Sequence, residues 1–131
     1  MWKSLGLSAV LALGACTSPP ESQYAGPLTP DEKRAALAYI KTAFFDPYSI
    51  RDASIAVGTR AAPASMSGKI VCLRLNAKNR YGAYTGLQEK AIVVKDGKAE
   101  GSSILWPYGL RGDMFCPGAR WEPFPEAEAI K

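Results

Sequence analysis

Apolar residues recur at helical spacing early in the chain and alternate with polar residues in its middle. Between residues 30 and 45 the apolar positions form one face of a predicted helix: Ala36, Leu37, Ile40, Ala43 and Phe44. The basic residues of this stretch lie away from that face: Lys33, Arg34 and Lys41. Because the face is short and its polar side is not densely basic, the pattern favours packing in a core over binding to a membrane or a partner helix.

Both ends of this helix carry local signals. Thr29 is able to cap the first turn, Pro30 stands where a missing N–H costs nothing, and Glu32 completes a capping box. Pro47 disfavours helical backbone at the residue before it. The last helical turn is therefore predicted to end at Phe45.

Period-two alternation follows the helix and predicts an antiparallel sheet. In residues 69–76, one face of a strand carries Val71, Leu73 and Leu75, and the other carries Cys72, Arg74 and Asn76. Further strands are predicted over residues 52–60, 91–94 and 98–104, with Asp96-Gly97 as a hairpin turn. One N-terminal helix packed on about four or five strands makes an α+β domain. The tail from Trp106 is rich in proline, glycine and aromatic residues and is expected to wrap the sheet.

The first fifteen residues have the layout of a signal peptide. MWKS contains the early positive charges and LGLSAVLALGA contains no charge, which matches a basic start before an apolar centre of about 7 to 15 residues. That centre is too short to span a bilayer, which needs about 20 apolar residues. Leu13-Gly14-Ala15-Cys16 fits the lipobox of bacterial lipoproteins. Cys16 is therefore predicted to carry lipid.

A lipid on Cys16 would tie the mature protein to a membrane, and more than one acyl chain makes such an anchor durable. Thr17 follows Cys16, and lipoproteins without aspartate at that position usually go to the outer membrane. We therefore expect a lipid-anchored protein of the outer membrane that faces the periplasm. The alternatives are an ordinary secretory signal with a coincidental cysteine, or a buried first helix.

These features divide the chain into a leader, a tether and a domain. Residues 1–15 are the predicted signal peptide, and residues 16–29 are predicted to be a lipid-anchored flexible tether because they are rich in proline and hydroxyl residues. Residues 30–131 are long enough for a single globular domain with a modest core. The net charge of +4 is too small to indicate a nucleic-acid partner.

The chain contains three cysteines, and lipidation of Cys16 leaves Cys72 and Cys116 as an even pair. In an exported protein such a pair predicts a disulfide bond. Closing a loop of about 45 residues would stabilise the domain by about 4 kcal/mol in the chain-entropy account. Two separate free thiols in the core are the alternative.

Glycine, asparagine and tyrosine are concentrated in residues 76–86, NAKNRYGAYTG, which we name the corner segment. Together with the residues that precede it, the corner segment resembles a family of small uncharacterised exported proteins and lipoproteins of proteobacteria. The resemblance covers residues 29 to 94 and carries no known activity. Leu73 and Ala83 stand where relatives often have glycine. The residues that carry it are Asp46-Pro47-Tyr48-Ser49, Cys72, Asn76, Lys78-Asn79, Tyr81-Gly82 and Tyr84-Thr85-Gly86.

The corner segment has a structural and a functional interpretation. As structure, Gly82 and Gly86 permit a bend, and the asparagine amides satisfy turn backbone while the tyrosines cover the sheet edge. As function, the same aromatic rings and amides form a patch for a glycan or a peptide. We favour the structural interpretation, and the candidate binding residues are Asn76, Asn79, Arg80, Tyr81 and Tyr84.

Most catalytic arrangements are excluded by composition. The chain has no histidine, which removes Ser-His and Cys-His nucleophiles and His-containing zinc sites. No Walker loop, S-x-x-K or G-x-G-x-x-G motif occurs. We expect no enzyme activity, no catalytic residue, no metal and no cofactor. The remaining acid pairs are more typical of solvated carboxylates: Asp46 with Asp52, and Glu89 with Glu100.

The sequence thus favours a non-enzymatic envelope lipoprotein that acts as a structural or interaction module, with an envelope protein or peptidoglycan as its partner. The alternative is a periplasmic inhibitor or ligand-binding lipoprotein, for example one that blocks a wall-degrading enzyme through the corner segment. A hydrolase with two carboxylates is the third hypothesis. Arg111-Gly112-Asp113 is interpreted as a surface turn.

Overall fold

The computed structural model of the protein describes residues 24, 26–63, 66–100, 110–111 and 115–131. Helix α1 is followed by a sheet and, near the C-terminus, by the short helix α2. Their bounds are α1 (Pro30–Ala43), β1 (Asp46–Ala56), β2 (Arg60–Ala61), β3 (Lys69–Lys78), β4 (Gln88–Lys95), β5 (Lys98–Glu100), β6 (Leu110–Arg111), β7 (Trp121–Pro123) and α2 (Pro125–Glu128).

The described strands form one antiparallel sheet in the order β5-β4-β3-β1-β7, with the two-residue strands β2 on β3 and β6 on β4. Helix α1 packs on one face of that sheet. The predicted α+β fold, a helix on a small antiparallel sheet, is confirmed.

Helix α1 begins as its sequence predicts and ends slightly earlier. The capping box between Thr29 and Glu32 is formed at its start, and Phe44 caps its end in extended conformation. The buried face is centred on Ala36 and Ile40, whereas Ala43 is exposed. The helix therefore contacts the core as far as Ile40, and residues 41–43 at its end are exposed.

The carboxylate of Glu32 joins the helix start to the sheet. One oxygen accepts a hydrogen bond of 2.8 Å from the Thr29 backbone N–H, and the other accepts one of 3.0 Å from the Lys69 ammonium. Burial by itself raises the pKa of Glu32, but the hydrogen bonds from Thr29 and Lys69 outweigh it and the pKa is lowered overall. The folded state therefore binds the Glu32 proton less readily than the unfolded chain does.

Because the pKa of Glu32 is lower in the folded state, its contribution to stability is present above the unfolded pKa of about 4.3 and disappears as the pH falls through the folded value. Glu32→Gln is expected to lower the free energy of unfolding by about 1–2 kcal/mol at pH 7. The difference from the parent protein should shrink progressively below about pH 4. Urea unfolding at a series of pH values measures this, with Glu126→Gln at an exposed carboxylate as the control. A deficit that stayed constant down to pH 2 would contradict the assignment.

The two faces of the sheet bury two separate clusters of side chains. Val71, Leu73 and Leu75 lie in the helix-side cluster, whereas Cys72 lies in a second cluster on the opposite face. The predicted alternation along β3 is therefore confirmed. Residues of the C-terminal part complete the helix-side cluster: Phe124, Ala127 and Ile130.

Strand β1 begins at Asp46, whereas the sequence predicts a strand only from residue 52. Its early part pairs with the end of β3 through an irregular register, with shifts on both sides of Arg51. Asp52 has a positive φ of 54° within this irregular stretch, a backbone conformation that non-glycine residues seldom adopt. Period-two alternation does not extend across such bulges, and for that reason the first half of β1 was missed.

The hairpin between β4 and β5 has the turn that Asp96-Gly97 predicts. Lys95 pairs with Lys98, and both turn residues have positive φ, 50° and 72°. A two-residue loop with two positive φ values matches the right-handed twist of the flanking strands. The predicted C-terminal end of β5, over residues 101–104, lies outside the described residues.

The second face of the sheet is covered by residues 115–121 and by Tyr24. Cys116 forms a disulfide with Cys72 of β3, which confirms the predicted pair. The Tyr24 hydroxyl donates a hydrogen bond of 3.0 Å to the Pro117 carbonyl, and Leu28 is buried in the helix-side cluster. Tyr24 and Leu28 therefore contact the domain, and residues 16–23 and 25 of the predicted tether lie outside the described residues.

Within the described ranges, no helix is both long and apolar enough to cross a bilayer. The predicted signal peptide and Cys16 are not among those ranges. Lipidation and export therefore remain predictions from the sequence.

Candidate functional site

The tip of the corner segment is held by Asn79. Its side-chain oxygen accepts hydrogen bonds from the backbone N–H groups of Tyr81 and Ala83, at 2.9 and 3.1 Å. The Asn79 backbone N–H donates a hydrogen bond to the Ala83 carbonyl, and the Gly82 N–H donates one to the Asn79 carbonyl. Gly82 has a positive φ of 77°. Because the donors of the tip are satisfied inside the turn, its backbone is well defined before any ligand arrives.

The base of the corner segment is held by Asn76 and Tyr84. The side-chain oxygen of buried Asn76 accepts a hydrogen bond of 3.1 Å from the Gly86 N–H. The Tyr84 hydroxyl donates one of 2.8 Å to the Ser49 carbonyl in β1. The Arg51 guanidinium lies 3.7 Å from the centre of the Tyr84 ring, a cation–π contact. Asn76, Asn79 and Tyr84 therefore all make contacts that shape the segment itself.

Arg80 and Tyr81 differ from the other candidate residues because both are exposed and neither holds the turn. Tyr81 is 86% exposed, and Arg80 is exposed beside it. Neither side chain forms a hydrogen bond or an ion pair with another residue in the described part of the chain. The structure therefore splits the predicted surface into three residues that hold the turn and two that the turn presents to solvent.

A groove of about 600 Å³ lies between the corner segment, the end of α1 and the start of β4. The volume falls within the range of about 300–1,000 Å³ that is typical of small-ligand sites. Aromatic residues line it from two sides: Tyr39, Phe44, Phe45 and Tyr81. Phe45 is 72% exposed, so an exposed ring stands on each side of the groove.

Three cations also line the groove: Lys78, Arg80 and Lys90. Among the described residues that line it, none is acidic. Burial lowers the pKa of the Lys90 ammonium, because loss of water disfavours the charged form. The end of α1 contributes a partial negative charge of about half an electron, which is small beside three side-chain cations. The side chains that line the groove therefore carry a net positive charge.

Lys90 and Phe45 were not predicted as site residues from the sequence. A signal for Lys90 was present, because it has the same parity along β4 as Ile92 and Val94, which lie in the helix-side cluster. A lysine at a core-facing position of an alternating strand indicates either a strand end or a site. Phe45 had no comparable signal, because its exposure depends on where α1 ends relative to the sheet.

None of the carboxylates that the sequence left open for catalysis lines the groove. Glu89 pairs with Arg74, and the Asp52 carboxylate lies 3.6 Å from the Arg51 side chain. Neither residue lines the groove, and the same is true of Asp46 and Glu100. In the part of the chain that is described, no cluster of three or more potential metal ligands occurs.

The sequence matches no family model, and comparisons with curated proteins and with solved structures find no significant similarity.

Proposed function

We propose that the protein is a non-enzymatic interaction module of the bacterial envelope, held at the outer membrane through lipid on Cys16. In this proposal it faces the periplasm and binds its partner with the groove and with Arg80 and Tyr81. The lipobox-like sequence before Cys16 supports the anchor. The absence of histidine from the whole sequence supports a role without catalysis.

One observation carries the binding role: Tyr81 is 86% exposed at the tip of a turn whose backbone is bonded to Asn79. Tyrosine and arginine are enriched among the residues that contribute most to binding. A turn that is already ordered loses little conformational freedom when a partner binds. A large exposed ring beside an exposed cation on a rigid turn is therefore better explained by recognition than by folding.

The same tip also fits the alternative function, an inhibitor that inserts the corner segment into a wall-degrading enzyme. Inhibitors of this kind need a projecting loop that does not change shape on binding. The two functions differ in the partner, which is a resident envelope component in the first and an added enzyme in the second.

The first experiment is photo-crosslinking in living cells. A photoreactive phenylalanine analogue replaces Tyr81 in one strain and Lys95 in another, because Lys95 is exposed and lies at the opposite end of β4. We expect a discrete adduct from position 81 and none from position 95. Mass spectrometry of the adduct then identifies a resident envelope component or, for the alternative, a wall-degrading enzyme.

A third strain combines position 81 with Cys16→Ala and tests the anchor. We expect this variant to leave the membrane fraction and its adduct to weaken or disappear. Equal adducts from positions 81 and 95, or none from position 81 in folded and anchored protein, would contradict the binding role. A Cys16→Ala variant that stayed in the membrane fraction would contradict the anchor alone.

A further inference from the structure

The chemistry of the groove narrows the class of partner, on the condition that the proposed binding role is correct. Lys78, Arg80 and Lys90 line it, and no acidic residue does so among those described. Arg80 is exposed and Lys90 is half-buried, so the cations are placed at different depths. A ligand that carries several negative charges along its length would match this arrangement.

The rings of the groove are of two kinds. Tyr39 and Phe44 pack edge to face against each other, with their centres 6.4 Å apart, and so belong to the wall. Phe45 and Tyr81 are 72% and 86% exposed and stand free above it. Exposed aromatic faces of this kind stack on flat apolar surfaces that are rimmed by polar groups, such as the faces of sugar rings.

The remaining polar groups of the groove suit hydroxyl groups. Thr42, Thr85 and Gln88 line it, and the Gln88 amide nitrogen already donates a bond of 2.7 Å to the Thr85 hydroxyl. The Gln88 side-chain oxygen can still accept a hydrogen bond from a ligand, and the Thr85 hydroxyl can still donate one. Sugar hydroxyls both donate and accept, so they pair with either group.

The groove is less suited to a peptide partner. Peptides that bind by adding a strand need a row of free backbone donors and acceptors. In the corner segment the N–H groups of Asn79, Tyr81, Gly82, Ala83 and Gly86 are already bonded within the segment. Peptides that bind by an anchor residue need a deep apolar pocket, whereas in this wall the Tyr39 and Phe44 rings pack against each other.

We propose that the groove binds an anionic carbohydrate, with sugar rings against Tyr81 and Phe45 and with its acid groups facing Arg80, Lys78 and Lys90. The shared chemistry is a chain of sugar rings that carries carboxylate or phosphate groups. In the envelope such a chain has two sources: cell-wall glycan strands freed of their peptides, whose acid groups are the carboxylates of N-acetylmuramic acid, and the core of lipopolysaccharide, whose acid groups include phosphates.

The test is calorimetric titration of the full-length protein in detergent. The probes are a tetrasaccharide of alternating N-acetylglucosamine and N-acetylmuramic acid, a phosphorylated lipopolysaccharide core oligosaccharide, and neutral chitotetraose as the matched control without acid groups. We expect one of the two anionic probes to bind at least about ten-fold more tightly than chitotetraose. Binding should weaken as salt is raised, because the cations at the rim are screened. The tighter of the two probes identifies the source.

Matched variants locate the site. Arg80→Gln and Tyr81→Ala are each expected to weaken binding by about ten-fold. Lys95→Gln removes an exposed cation, and Tyr48→Ala removes a 68% exposed ring; neither residue lines the groove, so both should leave binding unchanged. Lys90→Gln should weaken binding without lowering the thermal midpoint, because burial disfavours its charge. The thermal midpoint of every variant excludes loss of folding as the cause.

Three results would overturn the inference. If chitotetraose bound as tightly as the anionic probes, the groove would not require acid groups on its ligand. If an acidic peptide such as hexaglutamate bound equally or more tightly, the ligand would not be a carbohydrate. If no glycan bound at all, both the charge requirement and the carbohydrate would be excluded. The proposed function stands or falls separately, by crosslinking. A protein adduct at position 81 without any glycan binding would keep the interaction role and reject the carbohydrate.

Discussion

Reduction of the disulfide between Cys72 and Cys116 is expected to lower the free energy of unfolding by about 4 kcal/mol. The two cysteines are 44 residues apart in the sequence, so the bond removes much of the freedom of the unfolded chain. It also holds residues 115–119 over the second cluster, where Cys72 and Ala91 are fully buried. Urea unfolding followed by tryptophan fluorescence, with and without reductant, measures the loss.

The control for this experiment is the double variant Cys72→Ala/Cys116→Ala. It should be destabilised to a similar extent as the reduced parent protein, and reductant should have no further effect on it. An unfolding midpoint of the parent protein that did not move on complete reduction would show that the bond contributes nothing to the stability of the domain.

Phe124→Ala is expected to lower the free energy of unfolding by about 3–5 kcal/mol. Phe124 is 1% exposed in the helix-side cluster, and its backbone N–H donates to the Ala53 carbonyl at 2.9 Å. Removing the ring leaves a cavity under α2 and β1, which the surrounding side chains fill only in part. Urea unfolding again gives the measurement.

Phe45→Ala is the matched control, because it removes the same ring from a position that is 72% exposed. We expect Phe45→Ala to change the free energy of unfolding by no more than about 0.5 kcal/mol. Similar losses for the two variants would mean that Phe124 is not a core residue. The control has a second use, since Phe45→Ala should weaken glycan binding while it leaves stability unchanged.

Features that depend on neighbouring residues were predictable. The capping box at Thr29 and Glu32, the Asp96-Gly97 turn and the alternation along β3 are each formed as the sequence indicates. Each depends on a few residues whose local backbone geometry is nearly independent of the rest of the chain. The cysteine pair was predictable for another reason, because the predicted lipid on Cys16 leaves only Cys72 and Cys116 to pair.

Features that depend on distant parts of the chain were not predictable. The first half of β1 pairs with β3 across a bulge, so its sequence does not show the apolar–polar alternation that predicts a strand. Phe124 follows β7 and reaches the core only because β7 pairs with β1. The tail was expected to wrap the sheet, whereas part of it lies in the helix-side cluster.

For the site, the sequence located the corner segment but did not show which of its residues hold the turn and which are exposed to solvent. Asn79 and Tyr84 belong to one motif with Arg80 and Tyr81, and composition treats all four alike. The structure separates them, because the side chains of the first pair bond to backbone and those of the second pair face solvent.

The sequence by itself determined the α+β class, the helix start, the hairpin, the disulfide pair and the segment that contains the candidate site. Only tertiary structure decided that a groove exists, because its walls come from the end of α1, the corner segment and the start of β4. Residues from α1 and β4 stand side by side there although about 50 positions separate them in the sequence. Short-range preferences act along the chain, whereas a groove is formed by packing between elements, so no local pattern encodes it.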